Sequence, residues 1–290
     1  MQGNPQTAAW RLKLSRNLIV AMTTFNRSRD TARCLASLNT AAQEAGVDWR
    51  AIIVDASTND STKQATAHHP NCTVQSVHSD TYWATGMQIA LESIRTLEAV
   101  PGTVVLWLND DVTLEPSSLS RIIAKIDSEP PGTIVCGAVI DGAGRRTYGG
   151  YHRGGALARL KYRPLDIADH DQECDLANGN VLAMTYVHPD SLRSFPRYYS
   201  HGFADFHYTL ASSLSGVAVW QVAGTVGTCE QNSPAGTWRD TSLSRRTRLK
   251  LLRSPKGLPF REWSRFALTF GGAFGIIYVA SPLVRILIGR

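Results

Sequence analysis

The carboxylates of this sequence fall at the ends of apolar runs, where they could do chemistry. The clearest set is Leu106-Trp107-Leu108-Asn109-Asp110-Asp111-Val112, in which an amide and two adjacent acids follow a fully apolar stretch. Asn109, Asp110 and Asp111 offer hard oxygen ligands to Mg²⁺ or Mn²⁺, ions that also take oxygens from a substrate diphosphate. The same residue types also make turns and helix caps. Asp55 ends the apolar run 51–54. A carboxylate there can accept the N3–H of uracil or thymine, a donor that cytosine lacks, so one side chain can hold and select a base. Asp80 precedes Thr81-Tyr82-Trp83-Ala84-Thr85-Gly86-Met87. It can bond the same base or its ribose, or cap a helix, while Gly86 lets backbone approach a ligand. In His201-Gly202-Phe203-Ala204-Asp205-Phe206-His207 the two imidazoles and the acid could ligate a hydrolytic metal, and Asp205 could instead cap the helix that follows.

The elements that must position these residues follow from hydrophobic pattern. Residues 17–25 form a nearly continuous apolar run, as expected of a strand buried on both faces of a parallel sheet. A helix capped by Ser28 or Asp30 follows, with Leu35, Leu38 and Ala42 at helical spacing. Strands are expected at 51–54, 74–77 and 104–108, with a helix marked by Met87, Leu91, Ile94 and Glu98 between the last two. Strand and helix alternate, which indicates an α/β domain with a largely parallel sheet. Phe25-Asn26-Arg27, Asp55, Asp80 and Asp110-Asp111 all lie past strand C-termini, the edge where open α/β sheets bind ligands. No strand-to-helix turn carries Gly-x-Gly-x-x-Gly or a Walker lysine, which disfavours a dinucleotide oxidoreductase and a P-loop ATPase. Beyond Pro131 the pattern loosens into a Gly- and Arg-rich stretch, expected to be a mobile loop, whose Arg145, Arg146 and Arg153 could meet an anionic ligand. A strand at 180–186, a helix at about 206–214 and a strand at 217–222 follow.

Taken in order, these motifs resemble the family 2 glycosyltransferases with the GT-A fold. The resemblance runs over about residues 17–222 and rests on Thr23-x-Phe25-Asn26-Arg27, Val54-Asp55-x-Ser57-x-Asn59-Asp60, Tyr82-Trp83-Ala84-x-Gly86-Met87 and Leu108-Asn109-Asp110-Asp111. Gly179-Asn180-Val181-Leu182-Ala183 and His201-Gly202-Phe203-Ala204-Asp205-Phe206 complete it. It implies a nucleotide-sugar donor, UDP- or dTDP-linked, held by Thr23, Phe25, Asn26, Arg27, Asp55, Asp80, Trp83, Gly86 and Asp110. Asp111 matches the last acid of the family's Asp-x-Asp metal motif, and Asn109 stands where its first acid would be. Asp205 matches the second member of an acidic pair, Ala204 replacing the first, and is then the base for an inverting transfer, with Asn180 and His201 toward the acceptor. The implied acceptor is a hydroxyl of a glycan or lipid-linked glycan. A metal-dependent hydrolase using His201, Asp205 and His207, and a noncatalytic nucleotide-sugar-binding or membrane-scaffold protein, are the alternatives.

Composition sets the frame for this reading. The 290 residues are 43 % hydrophobic and 19 % charged, enough to bury a large core. The charge is uneven: from Trp238 onward there are eleven basic and two acidic residues, a net +9, against −3 for the first 237. A slightly acidic body does not suit a nucleic-acid clamp. The division expected is therefore a transferase domain at 1–237 and a basic extension at 238–290. Within that extension residues 266–284 are uncharged, ~28 Å long as a helix against a ~30 Å hydrocarbon core, but they contain Gly271, Gly272, Gly275 and Pro282. A helix lying in the cytoplasmic leaflet of a membrane is the expectation; docking on the domain or on a second subunit of a homo-oligomer is the alternative. Five scattered cysteines without a Cys-x-x-Cys pair, and no apolar leader in residues 1–16, point to reduced thiols and a cytosolic chain.

Overall fold

The computed structural model describes residues 16–97, 102–186 and 195–289 of the chain. β1 (Arg16–Thr24) leads into α1 (Ser28–Ala45), β2 (Val47–Asp55) into α2 (Ser61–Thr66), and β3 (Cys72–Ser76) into α3 (Trp83–Thr96). β4 (Val104–Leu108) passes through the short β5 (Thr113–Leu114) into α4 (Ser118–Ser128). β1 pairs parallel with both β2 and β4, and β2 parallel with β3. The alternation read from the sequence is thus a parallel half-sheet; Glu98, expected to continue α3, lies outside the described residues.

The second half is β6 (Ile134–Ile140), β7 (Arg146–Tyr148), β8 (Gly150–Arg153), β9 (Tyr162–Pro164), β10 (Gln172–Glu173), β11 (Leu176–Ala177), β12 (Val181–Thr185), α5 (Ala204–Leu214) and β13 (Val219–Thr228). β12 runs antiparallel between β4 and β6, and β13 runs parallel to β6, giving the order β10-β13-β6-β12-β4-β1-β2-β3. Every residue of β4 is buried, and its side chains alternate between two cores. Val104, Leu106 and Leu108 pack with α1 and α4, while Val105 and Trp107 pack with α3 and α5. A strand covered on both faces reads as an unbroken apolar run, which is why it is visible in the sequence.

The Gly- and Arg-rich stretch is not a loop. It supplies β7 on the edge of the main sheet and β8 and β9 of a small antiparallel sheet with β11. Strands of three or four residues are too short to show a period, and their glycines serve close packing. A Cβ on Gly150 would sit 2.8 Å from the Cys174 sulfur. The arginines bond to protein rather than facing an anion site: Arg145 pairs with Asp141 at 2.7 Å, Arg146 donates to the Gly150 carbonyl, and Arg153 donates to the carbonyls of Arg159 and Phe270.

The basic extension folds as α6 (Arg245–Leu252), α7 (Phe260–Phe270) and α8 (Gly275–Leu287), with a 3₁₀ turn at Gly272–Phe274 that breaks the uncharged run in two. No helix among the described residues is long and apolar enough to cross a membrane. α7 docks on the main core: Phe266 is fully buried, 5.0 Å from the Phe203 ring, and Phe270 meets His207. α8 packs on α7, and the Trp263 indole donates to the Tyr278 carbonyl at 3.0 Å. α8 nevertheless leaves Ile276, Ile277, Val284 and Leu287 exposed, and Ile288 just past its end is exposed as well. The five cysteines are all free thiols, four of them buried.

Candidate functional site

The C-terminal edge of β1, β2 and β4 opens into a cleft of about 410 Å³. After β1 the chain turns through Asn26 at a φ of 53°, and this left-handed turn is tied to the loop after β2: the Asn26 N–H donates to Ser57 Oγ, and its side-chain oxygen accepts from the Thr58 N–H. Arg27 then stands at the start of α1, where Ser28 or Asp30 was expected as the cap; no side-chain cap bond forms, and Asp30 pairs with Arg33. The turn instead sends the Arg27 guanidinium across to the tip of β4, 2.7 Å from Asp111 and 3.4 Å from Asp110.

At that tip the three polar residues divide. Asn109 accepts from the Trp83 indole at 2.9 Å, and its backbone N–H bonds the Asn180 carbonyl, so it ties α3 and β12 to the end of β4. Asp110 is buried beneath the cleft, and burial pushes its carboxyl up to about 6 against the opposing pull of the Thr24 hydroxyl and the Arg27 charge. Its Oδ2 has no hydrogen-bond partner among the described residues. Asp111 is more open and accepts from the Cys229 thiol at 3.4 Å. No group of three or more His, Cys, Asp or Glu among the described residues could hold a metal by itself. Two adjacent carboxylates, one with an orphaned buried oxygen, do suit an octahedral ion that draws its other ligands from a diphosphate and water.

The same cleft is lined by Asp205, in the first turn of α5. The helix begins at Phe203 with a φ of 63°, a sharp entry that places Ala204 in the core and turns Asp205 to the cleft. One carboxylate oxygen accepts from the Gly179 N–H at 3.0 Å and the other from the Phe206 N–H at 2.8 Å. Asp205 is therefore a clamped acid inside the helix rather than its cap. Burial raises its pKa despite those two donors. Gly179 is fixed by this arrangement, since a Cβ there would lie 2.8 Å from the Trp83 ring and 3.3 Å from the Asp205 Cβ. Trp83 has little room to retreat, because it is stacked on Phe195 and edge-on to Trp107. Gly179→Ala is expected to push Trp83 or the Asp205 carboxylate aside with the fold intact, and displacement near 1 Å of a group that takes part in the chemistry lowers a rate at least ~10-fold. Steady-state rates beside a melting curve check it; an unchanged rate would show that Asp205 tolerates displacement.

Of the residues singled out in the sequence, the cleft wall brings together Thr23, Phe25, Arg27, Trp83, Gly86, Asn109, Asp110, Asp111, Asn180, His201 and Asp205. Three stand aside. Asn26 serves the turn just described. Asp55 is buried beneath the wall, bonded to the Ser57 N–H at 2.9 Å. Asp80 neither lines the cleft nor caps α3; it is exposed and paired with His78 at 2.6 Å. The wall also contains Tyr148, Asn178, Gly179, Asn232 and, from the basic extension, Lys256. In the sequence Lys256 stands in the Ser254-Pro255-Lys256-Gly257 break of the basic tail, with nothing to place it at the cleft, and only the fold puts it on this wall.

The two histidines near Asp205 do not join it as a metal set. His207 bonds the Tyr199 hydroxyl at 2.9 Å and packs against Phe270, away from the cleft. Burial lowers its pKa to about 4. An imidazole held neutral in the fold and protonated in the unfolded chain stabilises fully above pH 6.5, and that contribution is lost as the pH falls toward 4. The melting temperature of His207→Phe, which keeps the ring packing, is expected to fall less than that of wild type between those values. Equal falls would contradict the assignment.

Comparison with known proteins identifies the family and the fold. Residues 19–188 match the family model described as Glycosyl transferase family 2. No protein of curated function matches the chain. Among solved structures, a mannosyltransferase from Pyrobaculum calidifontis in complex with GDP-Man and Mn²⁺ is similar at a TM-score of 0.51 and 14 % identity, over 96 % of this chain and 77 % of that one. TarS from S. aureus aligns at a TM-score of 0.48 and 14 % identity over 87 % of this chain, which spans 42 % of that protein's length. The mixed sheet, its flanking helices and the family match over more than half the chain place this protein in glycosyl transferase family 2, with the GT-A fold.

Proposed function

We propose that the protein is an inverting glycosyltransferase that moves a sugar from a UDP- or dTDP-linked donor to a hydroxyl of a glycan or lipid-linked glycan. The observation that carries this reading is that Asp205 lines the same cleft as Asp110 and Asp111. Asp205 takes the proton of the acceptor hydroxyl as its oxygen bonds the anomeric carbon, the bond from that carbon to the donor diphosphate breaks, and the nucleoside diphosphate leaves. A carboxylate with a raised pKa is the stronger base for this step. Asp111 and Asp110 are the residues to hold Mg²⁺ or Mn²⁺, which supplies neutralisation of charge growing on the leaving diphosphate. The GDP-Man and Mn²⁺ in the Pyrobaculum calidifontis structure support the pairing of nucleotide-sugar and divalent ion. Arg27 and Lys256 add positive charge to the wall of the same cleft. The exposed apolar face of α8, fringed by the basic extension, favours a location on the cytoplasmic face of a membrane.

The test is to incubate the protein with UDP- and dTDP-sugars, Mn²⁺ and a glycan acceptor and to read the anomeric configuration of the product by proton NMR. Inversion is expected; retention would contradict the single-base mechanism.

A further inference from the structure

A second cavity, of about 330 Å³, lies among the helices of the basic extension. Its walls are apolar, from Leu258, Phe260, Trp263, Val279 and Leu283, with Arg253 at its border. Phe260 and Leu283 are also solvent-exposed, so the cavity opens to the surface and continues into the exposed ridge of α8. One short turn separates it from the catalytic cleft. Arg253 and Leu258, at the two ends of that turn, line the apolar cavity, whereas Lys256, at its middle, lines the cleft. The turn is held in shape: the Gly257 N–H donates to the Ser254 carbonyl at 2.8 Å and the Leu258 N–H to the Leu252 carbonyl at 2.7 Å. A Cβ on Gly257 would fall 2.2 Å from the Leu251 carbonyl oxygen, so the backbone closes tightly on the end of α6. A greasy slot, a cationic rim and a polar catalytic cleft thus follow one another along the protein.

We infer that the cavity between α6, α7 and α8 seats the hydrocarbon chain of the acceptor, an anionic lipid whose phosphate lies on the Arg253–Leu258 turn and whose glycan reaches Asp205. This rests on the transferase reading and narrows its acceptor to one carried on a long-chain phosphate. The volume is within the range of small-molecule sites, and the order of apolar wall, cations and cleft matches the order of chain, phosphate and sugar in such a lipid. A neutral glycan would use the cleft alone and leave the apolar cavity without a ligand.

The probe is farnesyl phosphate as monomer, titrated into the full chain by calorimetry beside farnesol and inorganic phosphate. Saturable binding of one farnesyl phosphate per chain is expected, at least ~10-fold tighter than farnesol, with inorganic phosphate not bound detectably. Leu283→Glu, at an exposed position on the cavity wall, should weaken binding at least ~10-fold, and Arg253→Gln should bring farnesyl phosphate toward farnesol. Leu157→Glu, at a more exposed position outside the cavity, should bind as wild type. Val279→Phe, which fills the cavity without adding charge, repeats the test should Leu283→Glu melt early. The inference is overturned by absence of saturable binding, by equal binding to the cavity variants, or by attachment only to phosphatidylglycerol vesicles with no binding of monomeric lipid. It is overturned too if sedimentation shows a dimer that Leu283→Glu dissociates, a second copy then being the occupant. Nucleoside diphosphate binding, measured on the same preparations, keeps the donor site separate: its failure would fault the transferase reading and leave lipid binding as observed.

Discussion

Asp205→Asn is expected to lower the transfer rate by about 10²–10⁴-fold, the range a positioned general base contributes, while nucleotide binding stays within about twofold of wild type. Asparagine keeps the shape of the side chain and one oxygen to accept from the Gly179 or Phe206 N–H, so the clamp is weakened rather than removed. What it lacks is a basic oxygen. The loss should therefore appear in kcat with little change in KM for the donor, the signature of an interaction used in the chemical step. The wild-type rate should also fall at acid pH as Asp205 protonates, with its midpoint above that of an ordinary carboxylate because burial raises its pKa. Asp205→Asn should lack that limb. A variant that melts several degrees lower but turns over normally would show that Asp205 only fastens α5 to the segment before β12.

Asp111→Ala removes the more open of the two acids at the tip of β4, and nucleoside diphosphate affinity in the presence of Mn²⁺ should fall at least ~10-fold, about 1.4 kcal/mol. Asp110 remains, but it is buried with one oxygen turned to Arg27, and its raised pKa shows how poorly the site holds an isolated charge. Without Asp111, Arg27 is released from its 2.7 Å pair and its charge stays on the cleft wall. Metal-independent binding should therefore be unchanged or slightly stronger, and the difference between titrations with and without Mn²⁺ should vanish. A variant that keeps the full metal effect would move the ion away from Asp111.

Much of this site is readable without the fold, for a definable reason. β1, β2 and β4 have apolar stretches buried on both faces, so each is an unbroken apolar run, and the polar residue that ends it must stand at the sheet edge. That logic locates Arg27 and the adjacent acids Asp110 and Asp111 at one rim, and the order of motifs adds Asp205 and Asn180. It fails where a side chain's direction depends on a turn. Asp80 lies at the correct edge but pairs with His78, and Asn26 spends its hydrogen bonds on the loop after β2. It fails again where elements are short. β7, β8 and β9 have three or four residues each, below the length at which alternation can be told from a glycine-rich loop. Lys256 is hidden for a third reason: it reaches the cleft from far along the chain, through packing of α7 on Phe203 and His207. The break at Gly272–Phe274 is foreshadowed by its glycines, whereas the burial of Phe266 against the main core follows from tertiary packing that no local pattern encodes.

We propose the cleft lined by Asp205 and the Asp110-Asp111 pair as a metal-assisted site for a nucleotide-sugar donor. Calorimetric titration of the wild-type protein with UDP and with dTDP, each with and without Mn²⁺, tests it most directly. Saturable binding of at least one of the two is expected, tightened at least ~10-fold by the ion. No binding of either nucleotide in the presence of Mn²⁺ would contradict it.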